Sequence, residues 1–397
     1  MQNTLNKNNR IKKETVLKVL FLLQAIYLIL FVSHPRPLKS DDFSQNGKQS
    51  GVSQTKSLRR IHNLKWKFKT DGKITASPTI FNQTIYFGSH DGNLYALDLE
   101  TGKEKWRFQT WDIVSSTPLV NENFIYFGSG NWYCYALEAA TGDEYWRFKT
   151  QGQILSSPIK NSYPLYDGNA KYDAIYIGGL DGNIYAIKSE TGTERWRFSA
   201  DNSISSTPST TEGSIYFGSW DNHFYAVDLR TGNVKWKFET QDWIVSSPVI
   251  GKDMVFFGCL DGNLYALNLK NGDLIWKFKT GDQVNSSPII FEDLVYFGSM
   301  DKKLYAIDVK NGRLRWSFRA EGQIISSPSI ADQIIYFGLA DGNLDAVSLN
   351  SRVELWRFQT GGGISSSPVI SDDVLYFGSS DGYLYALYLR GIGITSG

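Results

Sequence analysis

The sequence predicts an all-β fold: an eight-bladed β-propeller with four-stranded blades, its ring closed by an N-terminal strand and preceded by one N-terminal transmembrane helix. Three observations carry the prediction. They are an internal repeat of four strand patterns, the phase in which that repeat starts and stops, and one apolar run behind a basic N-terminus. Composition agrees: 14% of the 397 residues are aromatic and 36 are glycine, while long amphipathic helical patterns are absent after residue 35. Aromatic and β-branched residues suit a pleated surface, and glycines suit the turns between strands.

The repeat is read most easily from its tryptophans. Trp66, Trp106, Trp146, Trp196, Trp236, Trp276, Trp316 and Trp356 each begin a Trp-x-Phe strand, 40 residues apart except for one step of 50. Pro78, Pro118, Pro158, Pro208, Pro248, Pro288, Pro328 and Pro368 recur with the same spacing, each after a small polar pair. In the first unit, strand A is expected over 74–80, B over 85–89, C over 94–99 and D over 105–110. Asp-Gly between B and C and Thr-Gly between C and D supply the positive φ of tight turns.

Phase then decides how the ring closes. The repeat region, 61–390, opens on a D strand at 65–70 and ends on a C strand at 384–389. The last blade lacks its own D strand, and the first D strand is free to complete it. Such closure leaves no sheet edge between the ends of the chain. Each regular Trp is expected to pack between neighbouring blades against the small residues of the adjacent C–D hairpin.

The N-terminus is a different kind of sequence. Lys7, Arg10, Lys12 and Lys13 precede an apolar run over 16–33. A basic flank stays cytoplasmic, so 1–15 is expected to be a cytoplasmic tail, 16–33 a signal anchor and 34–60 a flexible linker. The propeller is then membrane-anchored on the extracytoplasmic side, and 391–397 is a short C-terminal tail. A cleaved signal peptide is the alternative, although 31–35 offers a poor cleavage site.

The pattern resembles the pyrroloquinoline-quinone (PQQ) repeat family. Ala96-x-Asp98-x-x-Thr101-Gly102-x-x-x-Trp106 is similar to that family's tryptophan-docking motif, and Ala226 to Trp236 is a second clear copy. The seventh blade departs from it, with Asp345 for the usual Tyr and Arg352 for the Gly before Trp356. The resemblance implies a propeller fold and either of two roles. One is a quinoprotein dehydrogenase holding PQQ and calcium over the ring axis. The other is a non-enzymatic propeller similar to the lipoprotein subunit of the outer-membrane β-barrel assembly machinery.

The residues favour the second role. Those dehydrogenases carry an adjacent cysteine pair, whereas Cys134 and Cys259 stand alone, in different repeats, and read as buried thiols. No calcium-type loop, zinc spacing, phosphate loop or nucleophile elbow appears, so no catalytic residue, metal site or cofactor is expected. A net charge of +1 gives no reason to expect nucleic acid. The reading is a monomeric, membrane-tethered scaffold for a protein, peptide or glycan, serving envelope protein assembly or ligand sensing, with PQQ-dependent oxidoreductase as the alternative.

Off-repeat residues supply the candidate site. Trp111 and Trp243 fall in D-to-A loops, and Trp132 and Trp220 in B-to-C loops. In an up-and-down blade both loop types emerge on one face, where His90, His223 and Tyr133 also fall. Clustered non-repeating aromatics mark binding surfaces, although single exposed aromatics also simply cap blade ends. The third blade carries a ten-residue insertion within 161–173, which should project from the opposite face as a surface loop or a partner contact.

Overall fold

The computed structural model describes residues 64–389, apart from 122, 165–170 and 212, and describes the backbone alone at 162–164, 171 and 172. The expected anchor, its basic flank, most of the linker and the C-terminal tail lie outside the described residues. The described residues form thirty-two strands and no helix. They make eight four-stranded sheets. Each is an antiparallel meander in the order A, B, C, D, as in the first blade at Thr79–Phe81, Thr84–Gly88, Asn93–Asp98 and Glu104–Gln109.

Closure follows the phase of the repeat. Leu64–Lys69 joins the sheet of the last blade beside Tyr383–Tyr388, with Trp66 opposite Ala386 and Phe68 opposite Leu384. The first and last segments of the ring thus complete one sheet. Destabilising either should loosen a whole blade.

Most of the hydrophobic burial lies between blades. One cluster joins Ile74, Phe87 and Leu97 of blade 1 to Tyr376, Leu384 and Ala386 of blade 8, with Trp66 and Phe68 against it. Equivalent clusters fill the other joints. Trp66 Nε1 donates to Leu99 O at 3.1 Å, satisfying its one polar group at the edge of the core. The same bond recurs from Trp106, Trp146, Trp196, Trp236 and Trp276 to the residue at the start of the next C–D turn. Gly102 shows why the docking motif needs glycine: its φ is +67° and a Cβ there would stand 2.6 Å from the Trp66 ring.

Two details correct the sequence reading. Strand A is much shorter than expected, and residues 74–78 run as irregular chain before it. Pro78 lacks an N–H, so the ladder starts only after it. The small polar residues before each Pro carry a role that their recurrence alone does not show. Ser77 N–H donates to the Thr117 hydroxyl at 3.3 Å, Thr117 to Ser157 at 2.9 Å, and the lacing continues through Thr207, Ser247, Ser287 and Ser327. Ser367 N–H returns to the Ser77 hydroxyl at 2.9 Å. A second lacing between blades is therefore built from side-chain hydroxyls just before the innermost strands, and it satisfies backbone donors that no ladder reaches.

Blade 7 replaces an aromatic hydroxyl by an ion pair. Asp345 is completely buried, and Arg357 Nε donates to it at 2.7 Å. Arg357 also meets Glu354 at 2.8 Å and Glu321 at 2.6 Å. Burial pushes the Asp345 carboxyl up to about 6 despite the opposing pull of Arg357. Arg352, where other blades have Gly, takes φ +60°. Cys134 and Cys259 are buried and unpaired, as expected, and burial pushes both thiols up to about 12.

Candidate binding face

The B–C turns are built by a repeated carboxylate. Asp91 accepts the Tyr95 hydroxyl at 2.8 Å, the Asn93 N–H at 3.0 Å and the Asp71 N–H at 3.2 Å. One Asp thus ties strand C, its own turn and the neighbouring D–A loop together. The hydroxyl contact recurs at Asp181, Asp221, Asp261, Asp301 and Asp381. At Asp261 burial acts against ionisation, but hydrogen bonds from Tyr265 and Asn263 hold the carboxyl below its usual range. These acids are structural. They also fix the B–C and D–A loops side by side on one end of the disc, where all seven sequence-selected residues lie.

Blade 2 breaks the rule, and its break places the most exposed aromatic group. Asn131 stands where the other blades have Asp. Its amide donates to Thr110 O at 2.6 Å and reaches the Tyr135 hydroxyl at 2.7 Å. A carboxylate in this position accepts the N–H of the residue that Trp111 replaces, as Asp181 does from Gln151 at 2.8 Å. The amide instead binds the carbonyl of the same peptide unit. Trp111 accordingly has φ +69°, whereas none of its counterparts in the other D–A loops has a positive φ. Its side chain is 87% exposed.

Trp132 is strained in the same corner. It occupies the turn position held by Gly92, Gly182, Gly262, Gly342 and Gly382, and takes φ +75° itself. It is 46% exposed. Bulky residues seldom adopt this conformation, and strain of this kind gathers at functional sites. Beside it, Tyr133 is half-buried, with the Arg147 guanidinium 5.3 Å from its ring centre and the Lys149 ammonium 5.8 Å away.

The other two tryptophans make a pair of a different kind. Trp220 and Trp243 stack with ring centres 4.9 Å apart and planes 6° from parallel. Trp220 Nε1 donates to the Ser205 hydroxyl at 2.9 Å. Both are half-buried and largely satisfied by each other. His90 holds the Thr75 hydroxyl at 2.8 Å, and burial, then the Lys73 charge, lowers its pKa against the pull of Asp91. His223 Nδ1 lies 3.0 Å from Asp221 O, and its ring packs on Tyr225. The two histidines belong to different blades and bond locally. The structure thus divides the seven residues into an exposed, strained corner around Trp111, Trp132 and Tyr133, a self-stacked Trp pair, and two tethered imidazoles.

Sequence reasoning passed over Asn131 as a site determinant. The signal was present: one Asp-to-Asn change in a repeated turn, flanked by Trp at positions where the repeat keeps other residues.

The fold and its joints define the class, an eight-bladed propeller built on tryptophan-docking repeats. The model of the PQQ_2 family, described as outer membrane protein assembly factor BamB, matches residues 60–172, 168–291 and 274–391. The chain belongs to that family. No curated protein matches the sequence. Among solved structures it is similar to BamB from Moraxella catarrhalis, with a TM-score of 0.70 and 16% identity over 82% of this chain and 99% of that one. The computationally designed Ika8 protein matches with TM-score 0.70 and 16% identity over 82% and 98%. A quinohemoprotein alcohol dehydrogenase from Comamonas testosteroni matches with TM-score 0.68 and 16% identity over 84% and 77%. At such identities these likenesses establish the fold.

Proposed function

We propose that this protein is a non-enzymatic protein-binding scaffold of the cell envelope, and that it captures its partner on the face bearing Trp111 and Trp132. The observation that carries the reading is the pair of exposed, positive-φ tryptophans in the one blade whose turn carboxylate has become an amide. Rigid aromatic groups bury large area at small entropic cost, which suits capture of a protein segment. Tyr133, with its two cations, offers a polar border to that patch. The description of the matching family model, an assembly factor of the outer membrane, agrees with such a role.

The residues do not fit a PQQ–calcium centre. Among the described residues no group of three or more His, Cys, Asp or Glu side chains is placed to hold a metal ion. The two thiols lie in different blades, far from adjacent in sequence. The Trp220–Trp243 faces are already turned on each other. The N-terminal anchor and the extracytoplasmic location remain part of the proposal, motivated by the basic flank and the apolar run over 16–33.

A photo-crosslinking amino acid at position 132, compared with one at position 350 on the opposite face, tests the reading in native membranes. The scaffold reading expects a discrete protein adduct from 132 only. Adducts from 350 alone would overturn the choice of face. Dye reduction by purified protein supplied with PQQ and calcium would overturn the non-enzymatic reading.

A further inference from the structure

The joint between blades 1 and 2 is hollow on the side opposite the tryptophan face. A cleft of about 600 Å³ opens there between the A–B and C–D turns. It is lined by Phe81, Tyr86, Lys105 and Trp106 from blade 1 and by Phe124, Glu138 and Ala139 from blade 2. The cause lies in the repeat. At the position of Ala139 the other blades carry Leu99, Leu229, Leu269, Val309, Leu349 and Leu389, with Ser189 the one other small residue. The next residue, Ala140, replaces a long side chain such as Glu100, Glu190, Arg230, Lys270 or Lys310. Two consecutive alanines thus replace the larger side chains that stand beside the docked Trp in most other joints, and Trp106 is half-buried.

A second, independent feature is electrostatic. In three blades an acid at the end of strand C faces a cation on strand D: Asp98 with Lys105 at 3.7 Å, Asp228 with Lys235 at 3.4 Å, and Asp308 with Arg315 at 2.7 Å. Blade 2 keeps the acid, as Glu138, but has Tyr145 in place of the cation. Where other blades lack that cation they also lack the acid, as in Asn268 with Ile275 and Ser348 with Leu355. Tyr145 leans away onto Phe124, with ring centres 4.6 Å apart, and is 50% exposed. The Glu138 carboxylate has no hydrogen-bond or ion-pair partner among the described residues. The nearby Lys105 ammonium is already engaged by Gln83 O at 3.1 Å and the Thr84 hydroxyl at 2.7 Å. Ala139 O is occupied too, by Trp106 Nε1 and the Tyr86 hydroxyl, both at 3.2 Å.

We infer that this cleft binds an organic cation, with an ammonium or guanidinium group set against Glu138 and the aromatic walls of Trp106, Tyr86 and Phe124. Indole is the best aromatic partner for a cation, and a carboxylate at the end of an aromatic pocket supplies the opposing charge. The hollow left by Ala139 and Ala140 accommodates the apolar stem that carries the charge. The cation is the one the repeat otherwise supplies from strand D, now taken from outside the chain. This site lies across the disc from the tryptophan face and stands or falls separately from it.

Full-length protein in detergent would be titrated with benzyltrimethylammonium, with acetyl-Gly-Arg-Gly-amide and with acetyl-Gly-Glu-Gly-amide as a charge-reversed control, read by calorimetry and saturation-transfer NMR. Two variants test the site. Glu138→Gln removes the charge, and Ala139→Leu restores the residue of most other joints and should preserve the fold. The inference expects saturable binding of a cationic probe and none of the acidic one, weakened at least tenfold in each variant. Binding of the ammonium alone assigns a small organic cation, and binding of the peptide alone assigns a basic protein side chain. No binding of either cation, or binding unchanged in both variants, would overturn it.

Discussion

Replacing Asn131 by Asp should raise stability and disarm the binding corner in one step. The amide now donates to Thr110 O at 2.6 Å, and the peptide that follows leaves Trp111 at φ +69°. A carboxylate cannot donate to that carbonyl. It can accept the Trp111 N–H, as Asp181 accepts Gln151 N–H at 2.8 Å, and the Tyr135 hydroxyl, as its counterparts do. The peptide should therefore turn over. Relief of a left-handed non-glycine residue is worth roughly 1 kcal/mol or somewhat more. Exchange of one hydrogen bond for another with a charged acceptor adds of the order of 1 kcal/mol. Charge repulsion from Asp112, whose carboxylate lies beside Gly130, offsets part of this, so a net gain of about 1 kcal/mol is expected. For a ring of this size that is a rise in Tm of about 2 °C by differential scanning calorimetry. Partner capture should fall in the same variant, because Trp111 leaves its exposed pose. A lower Tm with Trp111 still at positive φ in a crystal structure of the variant would refute the reasoning.

Three further outcomes follow from the joints and the buried charges. Trp66→Ala should cost about 3 kcal/mol or more, since it empties the joint that closes the ring, and chemical denaturation with unchanged midpoint would contradict closure through Leu64–Lys69. Gly102→Ala should be destabilising by more than about 1 kcal/mol, from its φ of +67° and the Trp66 ring 2.6 Å from the new Cβ, whereas an unperturbed melting curve would remove the steric account of the docking glycine. Asp345 gives a pH dependence. Its carboxyl is raised from 3.8 to about 6 in the folded chain, so the folded state binds the extra proton between those values. The favourable contribution is full below about pH 4 and is lost as pH rises through 6, an effect on the order of 2 kcal/mol. Asp345→Tyr, restoring the residue of the other blades, should flatten the stability profile between pH 4 and 6, and a parallel profile would exclude this group.

The ring was legible because its instructions are periodic. Trp, Pro, Asp-Gly and Thr-Gly recur in fixed order, and counting them placed Trp66 opposite the last C strand without any contact being known. What was hidden depended on direction. Ser77 and its equivalents recur as small polar residues before Pro, but sequence does not show that their hydroxyls meet the backbone N–H of a neighbouring blade. The pairing of Trp220 with Trp243 was likewise invisible, since it depends on how two loops lean together. Asn131 stands in the sequence as the one exception among the turn acids, but its consequence lies in whether one side-chain atom donates or accepts. The candidate face is therefore legible in the sequence as a set of residues, while its division into an exposed strained corner and a self-contained pair depends on the fold. The expected anchor at 16–33 lies outside the described residues, so the membrane part of the reading rests on the N-terminal sequence.

The most direct test of the scaffold account is partner recovery from native membranes with four forms of the full chain: parent, Trp111→Ala with Trp132→Ala, Trp220→Ala with Trp243→Ala, and Trp111→Ala alone. Quantitative mass spectrometry reads the yield of each co-purified protein, and calorimetry confirms that the exposed-corner variants melt no lower than the parent. The account predicts a partner whose yield drops at least tenfold in the Trp111/Trp132 variant, several-fold in Trp111→Ala, and little in the Trp220/Trp243 variant. The same partners at the same yields in the parent and the Trp111/Trp132 variant would contradict it.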